Sequence, residues 1–253
     1  MKFIKKLLFK LLSQKSYLRI LHRAFYFLYS IGYLKGKTSF KYHYGIQKLI
    51  SKDAIVVDIG ANLGYFSKNF ARLAKNGHVI SIEPVPYFYD TLKYFLGNFH
   101  NVTIHNVALG VENGKLEMVM PESDGMIRTG LPHIAKNEAE KKQHKTVEVN
   151  IVKGSELLSD LQRLDYIKCD IEGYEWIVFQ EIQPIIAKHR PMVQLEIAEE
   201  NIPNMLAYFQ AMDYQQYGIA NFQFVKENGP QKEEGDFLFV PMEKVSEFEK
   251  ISH

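Results

Sequence analysis

The residues best suited to chemistry in this 253-residue chain are acids set beside glycines. Residues 56–67, Val-Val-Asp-Ile-Gly-Ala-Asn-Leu-Gly-Tyr-Phe-Ser, read as a strand, a glycine turn and the start of a helix. In a doubly wound sheet such a turn lies at the carboxyl end of a strand, where ligands bind. Gly60 and Gly64 permit a tight turn and bring peptide N–H groups toward a ligand. Their Gly-x-x-x-Gly spacing differs from the Gly-x-Gly-x-x-Gly of dinucleotide folds. A pyrophosphate favours a helix N-terminus free of negative charge. Asp58, just before the turn, suits instead a ligand that carries an ammonium group. Ser81-Ile82-Glu83-Pro84 then puts an acid at the end of a second strand, where it can accept hydrogen bonds from both hydroxyls of a ribose. Asp58 alone could equally be a helix-capping aspartate. Asp58 and Glu83 together describe a nucleoside with an ammonium, which is the make-up of S-adenosylmethionine.

A second acidic group follows a later strand. Asp170, Glu172 and Glu175 surround Gly173 in Ile167-Lys168-Cys169-Asp170-Ile171-Glu172-Gly173-Tyr174-Glu175, and Glu196 closes the strand Val193-Gln194-Leu195-Glu196. Carboxylates so placed can hold an acceptor group in line with a bond that breaks and take its proton. Asp170 and Glu172 are the candidates to position the acceptor, one of them as base, with Glu196 beside them. The structural alternative makes Glu172 a helix cap and Glu175 an acid complementing the helix dipole. Clustered carboxylates can also hold a divalent metal, and their pattern does not separate a metal from a sugar. His105 is expected to be packed, His133 and His144 to be solvated loop residues, and Trp176 to be core.

The elements that must position these residues can be read from periodicity. Short β-branched runs at 54–59, 78–82, 102–105, 165–171 and 192–197 alternate with helical segments at 64–75, 87–96, 173–183 and 202–212. The run at 214–219 pairs with 237–240. The first helix of the later pair is expected to end near Pro184. This alternation predicts an α/β fold with a mostly parallel, doubly wound sheet covered by helices on both faces. Residues 121–145 lack apolar periodicity and carry Pro121, Gly125, Gly130 and Pro132, as a lid or substrate-binding insertion would.

Four motifs in order resemble the FkbM-type methyltransferases: 58–64, 81–84, Asn106-Val107-Ala108-Leu109-Gly110 and 167–175. The closing Asp236-Phe237-Leu238-Phe239-Val240-Pro241 is similar too, and the resemblance spans about residues 49–241. It implies a class I S-adenosylmethionine-dependent enzyme, chiefly an O-methyltransferase of glycans and other natural products. It also implies a seven-stranded sheet with one antiparallel strand near the edge. Asp58, Gly60, Asn62 and Gly64, with Phe66 and Ser67 following, would line the methionine end, and Asp170 would face the cofactor. Glu83 and Pro84 would hold the ribose, and Asn106, Val107 and Ala108 would lie by the adenine. The resemblance implies no metal. An oxidoreductase or epimerase on a Rossmann sheet is the competing reading, disfavoured by the glycine spacing, and a non-carbohydrate acceptor competes with a glycan.

The formal charge of +2 conceals an asymmetry. Residues 1–50 hold eleven Lys or Arg and no acid, leaving 20 basic against 29 acidic residues in the remainder. Residues 1–48 therefore read as a basic helical extension on an acidic methyltransferase domain, 49–253. Within it, 2–12 form a basic amphipathic stretch, 17–33 an aromatic helix and 42–50 a third helix. Lys10 interrupts the first apolar run and no cleavage site follows, so neither export nor a membrane span is expected. The single Cys169 fits a reducing, cytoplasmic setting. The arm suits packing on the domain or a homodimer interface, or peripheral contact with the inner membrane face. Nucleic acid fits worst, because the core is acidic.

Overall fold

The computed structural model describes residues 9, 11–123, 126–127, 131–135, 138–220, 223–229 and 236–252. Its strands, in chain order, are β1 (Ile55–Ile59), β2 (His78–Ile82), β3 (Val102–His105), β4 (Ala108–Gly110), β5 (Gly114–Met120), β6 (Glu122–Ser123), β7 (Met126–Ile127), β8 (His133–Ile134), β9 (Lys145–Lys153), β10 (Tyr166–Cys169), β11 (Met192–Leu195), β12 (Tyr214–Ala220), β13 (Gln223–Glu227) and β14 (Phe237–Pro241). The main sheet runs β13-β12-β14-β11-β10-β1-β2-β3. Its centre, β3-β2-β1-β10-β11, is parallel. A doubly wound α/β sheet is therefore the architecture.

Two features of that sheet differ from expectation. It has eight strands rather than seven, and β13 joins β14 as a second antiparallel strand. Gln223–Glu227 buries only Phe224, so its apolar signal is too thin to read as a strand. Its Lys226 and Glu227 instead suit a sheet edge, where charge discourages further pairing. A second, four-stranded sheet, β4-β9-β5-β8, flanks the first. It draws β8 out of the 121–145 stretch, pairing Val119 with His133 and Met118 with Ile134.

The central strands bury both faces because their apolar residues alternate between two layers. Val57, Ile59, Ile167, Cys169, Val193 and Leu195 point into one core. That core is covered by the helices α7 (Glu175–Glu181), α8 (Gln183–His189) and α9 (Ile202–Ala211), all three following α1 (Gln14–Ser30), α2 (Lys41–Gly45), α3 (Ser67–Leu73), α4 (Pro86–Leu96), α5 (Glu138–Gln143) and α6 (Gly154–Leu157). Val56, Val79 and Tyr166 point into the other core, against α2, α3 and the last helix, α10 (Val245–Ser252). α7 ends at Glu181, close to Pro184 as expected, and Pro184 then opens α8 from its first turn, where its missing N–H costs nothing and its φ is already helical.

The N-terminal elements are built into this body. Ser13 caps α1, its Oγ accepting from the Ser16 N–H at 3.3 Å. The inner face of α1 packs on α4 and on the loop after β1. Tyr42 and Ile46 lie in the sheet core, and Lys41 Nζ donates to the Ile219 carbonyl at 2.8 Å. Residues 2–8 and 10 of the basic amphipathic stretch lie outside the described residues. Among the described residues no helix is long and apolar enough to cross a membrane.

Candidate cofactor and acceptor site

A polar row crosses the sheet at its carboxyl end. Strand register aligns Ser81, Asp58, Lys168 and Gln194 on neighbouring parallel strands, so the four side chains share the α3 face. Each is at most 2% exposed. A buried polar residue must find partners, and these find one another and their neighbours. Ser67 Oγ donates to Asp58, and Ser81 Oγ donates to Ser67 Oγ at 2.9 Å. Gln194 donates to Asp236 and accepts from Tyr166 Oη at 2.8 Å.

The backbone around this row turns left-handed in two loops, a conformation free for glycine and costly for other residues. After β1, Gly60 (φ +77°) and Asn62 (φ +53°) adopt left-handed conformations; after β10, Glu172 (φ +51°) and Gly173 (φ +98°) do the same. Such outliers concentrate where function over-determines the backbone. The loops meet closely: a Cβ on Gly60 would fall 1.9 Å from the Asp170 carbonyl oxygen. Gly60 is thus fixed by loop-on-loop contact as well as by its φ.

Glu83 lies beside this contact, 4% exposed. It accepts from the Asn62 N–H at 2.7 Å and the Val85 N–H at 2.8 Å. Burial pushes its carboxyl up to about 8, against the pull of those two donors. A cavity opens here, lined by Gly60, Asn62, Glu83, Pro84, Val107 and Ala108, with Phe88, Asp170, Glu172 and Tyr174. Acid at one end and apolar surface at the other match a nucleoside. Burial and the neighbouring Asp170 raise Glu172 to about 7.

A second cavity shares Gly60, Asn62 and Asp170 with the first. Its walls include Asp58, Phe66, Lys168, Glu196 and Asp236, together with Thr38, Ser39, Tyr42, His43 and Tyr65. Burial raises Asp58 to about 6 and raises Asp236 as well. Asp170 and then burial raise Glu196. Lys168 sits among these acids, with Nζ 3.3 Å from Asp170 Oδ2. Burial opposes its charge, but Asp170, Asp236, Glu196 and Asp58 outweigh that and hold the ammonium firmly protonated. Four acids facing one lysine leave a net negative wall, which fits a ligand carrying ammonium and sulfonium charges.

His43 forms part of that wall. Its ring stacks on Phe66 at 3.8 Å, and its Nδ1 has no hydrogen-bond partner among the described residues. Burial, reinforced by Lys168, lowers its pKa to about 3, so it is neutral at pH 7.

Most of the residues singled out in the sequence converge on the two cavities, with a few exceptions. Gly64 lines neither; a Cβ there would meet Leu92 at 2.6 Å. Ser67 lies beneath Asp58. Asn106 braces the turn after β2, its Nδ2 donating to the Glu83 and Pro84 carbonyls at 2.8 Å each. Glu175 is also a brace, accepting from the Gly173 N–H and from Asn201 Nδ2. His133 binds Glu140 at 2.8 Å. Lys168, Asp236 and His43 were not legible as site residues. Lys168 did leave a trace, as a lone charge in the apolar run 166–169. Among the described residues no group of three or more His, Cys, Asp or Glu is arranged to hold a metal.

Comparison with known proteins bears on this geometry. The model of the methyltransferase FkbM domain matches residues 58–216, more than half of the chain. A methyltransferase FkbM structure from Methylobacillus flagellatus KT superposes with a TM-score of 0.52 at 18% identity, covering 76% of this chain and 44% of that one. This chain therefore spans less than half the length of that relative. A precorrin-6y C5,15-methyltransferase from Geobacter metallireducens GS-15 gives 0.41 at 15% identity, over 78% of this chain and 84% of that one. A putative methyltransferase from Streptococcus mutans, in complex with SAH, gives 0.44 at 11%, over 78% and 92%. No curated protein matches. The domain match over residues 58–216, on a fold shared with a known member, places the chain in the FkbM methyltransferase family, a class I family whose methyl donor is S-adenosylmethionine.

Proposed function

We propose that this chain transfers a methyl group from S-adenosylmethionine to a hydroxyl oxygen of a sugar or glycan. Glu83 would hold the ribose hydroxyls, Val107 and Ala108 would flank the adenine, and Asp58 with its acidic neighbours would balance the cationic methionine end. When bound, the cofactor supplies an electrophilic methyl. The chain's own work is then to orient the acceptor oxygen and take its proton.

The observation that carries this reading is the second cavity, which meets the first at Gly60, Asn62 and Asp170. Its wall joins the carboxylates of Asp170 and Glu196 to the rings of Tyr42, Tyr65 and Phe66. Carboxylates accept hydrogen bonds from sugar hydroxyls, and aromatic faces cover the apolar faces of a pyranose. Glu196, raised toward neutrality, is a better proton acceptor near pH 7 than an ordinary glutamate. Lys168 keeps Asp170 anchored through its 3.3 Å contact.

The test is incubation with methyl-labelled S-adenosylmethionine and a panel of oligosaccharides and lipid-linked glycans, with mass spectrometry of the products. A methyl ether on a sugar hydroxyl is expected. Asp170→Asn should abolish it while S-adenosylhomocysteine still binds. Methylation at nitrogen or carbon, or only of non-carbohydrate hydroxyls, would overturn the reading.

A further inference from the structure

We propose that the carboxyl end of α1 docks on an anionic lipid surface and holds the mouth of the second cavity against it, so that the acceptor reaches the site from the membrane. The second half of this proposal rests on the acceptor-side reading of that cavity; the docking itself does not.

α1 is two-faced. His22, Phe25 and Tyr26 are buried against the domain, whereas Phe27 is 63% and Ile31 59% exposed. Phe27 and Ile31 stand one turn apart on the outward side. The helix then closes tightly, with the Gly32 N–H donating to the Tyr29 carbonyl and the Tyr33 N–H to that of Leu28, both at 3.0 Å. Tyr33, which follows this turn, is 56% exposed. Lys37 Nζ lies 5.2 Å from the Tyr33 ring, and Lys35 is exposed beside it. The next two residues, Thr38 and Ser39, line the second cavity. The two lysines beside this apolar patch are thus followed directly in the chain by residues of the cavity wall.

Charge selects the occupant. Aromatic and aliphatic side chains framed by lysines are the pattern of an interfacial membrane contact. Eleven basic and no acidic residues lie within 1–50, against 20 basic and 29 acidic beyond. A negative lipid surface attracts Lys35 and Lys37 at the rim of the patch and repels the acidic remainder of the chain, which favours docking by this end of α1. A soluble partner would need no such polarity across the whole chain.

The experiment uses the full chain in co-sedimentation with vesicles of phosphatidylcholine, alone or with about one-third phosphatidylglycerol. Binding is expected only to the anionic vesicles and should fall as salt rises. The triple variant Phe27→Ser, Ile31→Ser, Tyr33→Ser and the double variant Lys35→Glu, Lys37→Glu should each lower vesicle affinity by about tenfold or more. Both should keep wild-type melting temperature and S-adenosylhomocysteine affinity. Failure of the wild type to pellet, or wild-type binding by the triple variant, would sink the proposal. So would a dimer in sedimentation velocity that the triple variant abolishes in the absence of vesicle binding. Methylation of a soluble glycan with no vesicle binding would remove the docking and leave the proposed function standing.

Discussion

Asp58 and Lys168 are register partners on adjacent parallel strands, and each makes the other tolerable in the interior. An isolated buried charge is expelled or neutralised; here one ammonium is shared among Asp58, Asp170, Glu196 and Asp236. Removing it leaves four acids facing one another. Lys168→Met should therefore destabilise the fold by about 3–5 kcal/mol, measured by urea unfolding, even though methionine fills a similar volume. Glu83 presents the opposite case, an acid held for a ligand by two backbone N–H groups. Glu83→Gln keeps the shape but weakens the acceptors offered to a ribose. At a pH above the folded value of Glu83, about 8, where the carboxylate is charged, calorimetry should show S-adenosylhomocysteine affinity falling by about tenfold or more, since hydrogen bonds to charged groups contribute about 1.5–3 kcal/mol.

At the scale of elements, α1 acts on the site through the glycine loop. His22 Nδ1 lies 2.8 Å from the Leu63 carbonyl, and Tyr26 Oη donates to the Tyr65 carbonyl at 2.8 Å. The His22 ring also stacks on Phe95 of α4 at 3.7 Å. The loop that carries Asn62 is thus clamped from outside by a helix that precedes β1 in sequence. Tyr26→Phe should cost about 1 kcal/mol of stability and should weaken S-adenosylhomocysteine binding, because the loop loses its outer support. An unchanged affinity would show that β1 and α3 set the loop by themselves. Gly60→Ala tests the inner contact. With φ at +77° and the Asp170 carbonyl in the way, it should lower stability by about 3 kcal/mol or more.

For the whole molecule, buried titratable groups set opposing limits on stability. Burial lowers His22 to about 4 and His43 to about 3, from 6.5. The unfolded chain binds those protons first, so stability is lost as pH falls from about 6.5 through the folded values. Burial raises Glu83 to about 8 from 4.5, and Asp58 to about 6 from 3.8. These acids keep their protons in the folded state, so their contribution is complete at low pH and is lost as pH rises through the folded values. The ligand-free protein should melt highest between about pH 5 and 7 and lower on either side. Glu83→Gln should flatten the alkaline side and leave the acid side unchanged, as read by calorimetry across pH.

The sequence by itself determined the doubly wound class, the segments that form its parallel strands and the two acid-bearing loops. These are written in local signals: β-branched runs, glycine spacing, and acids at strand ends such as Asp58, Glu83 and Asp170. It also carried enough motif to place the chain in its family. Only the tertiary structure decided that Asp58, Lys168 and Gln194 form one row, because strand register joins residues more than a hundred positions apart. Only it showed Asp236, just ahead of the antiparallel β14, joining that row, and β13 extending the sheet. The arm changed most: read as an appendage, it supplies Thr38, Ser39, Tyr42 and His43 to the second cavity and clamps the loop of the first. Periodicity reports which face of a helix is apolar, but not which distant surface that face will cover.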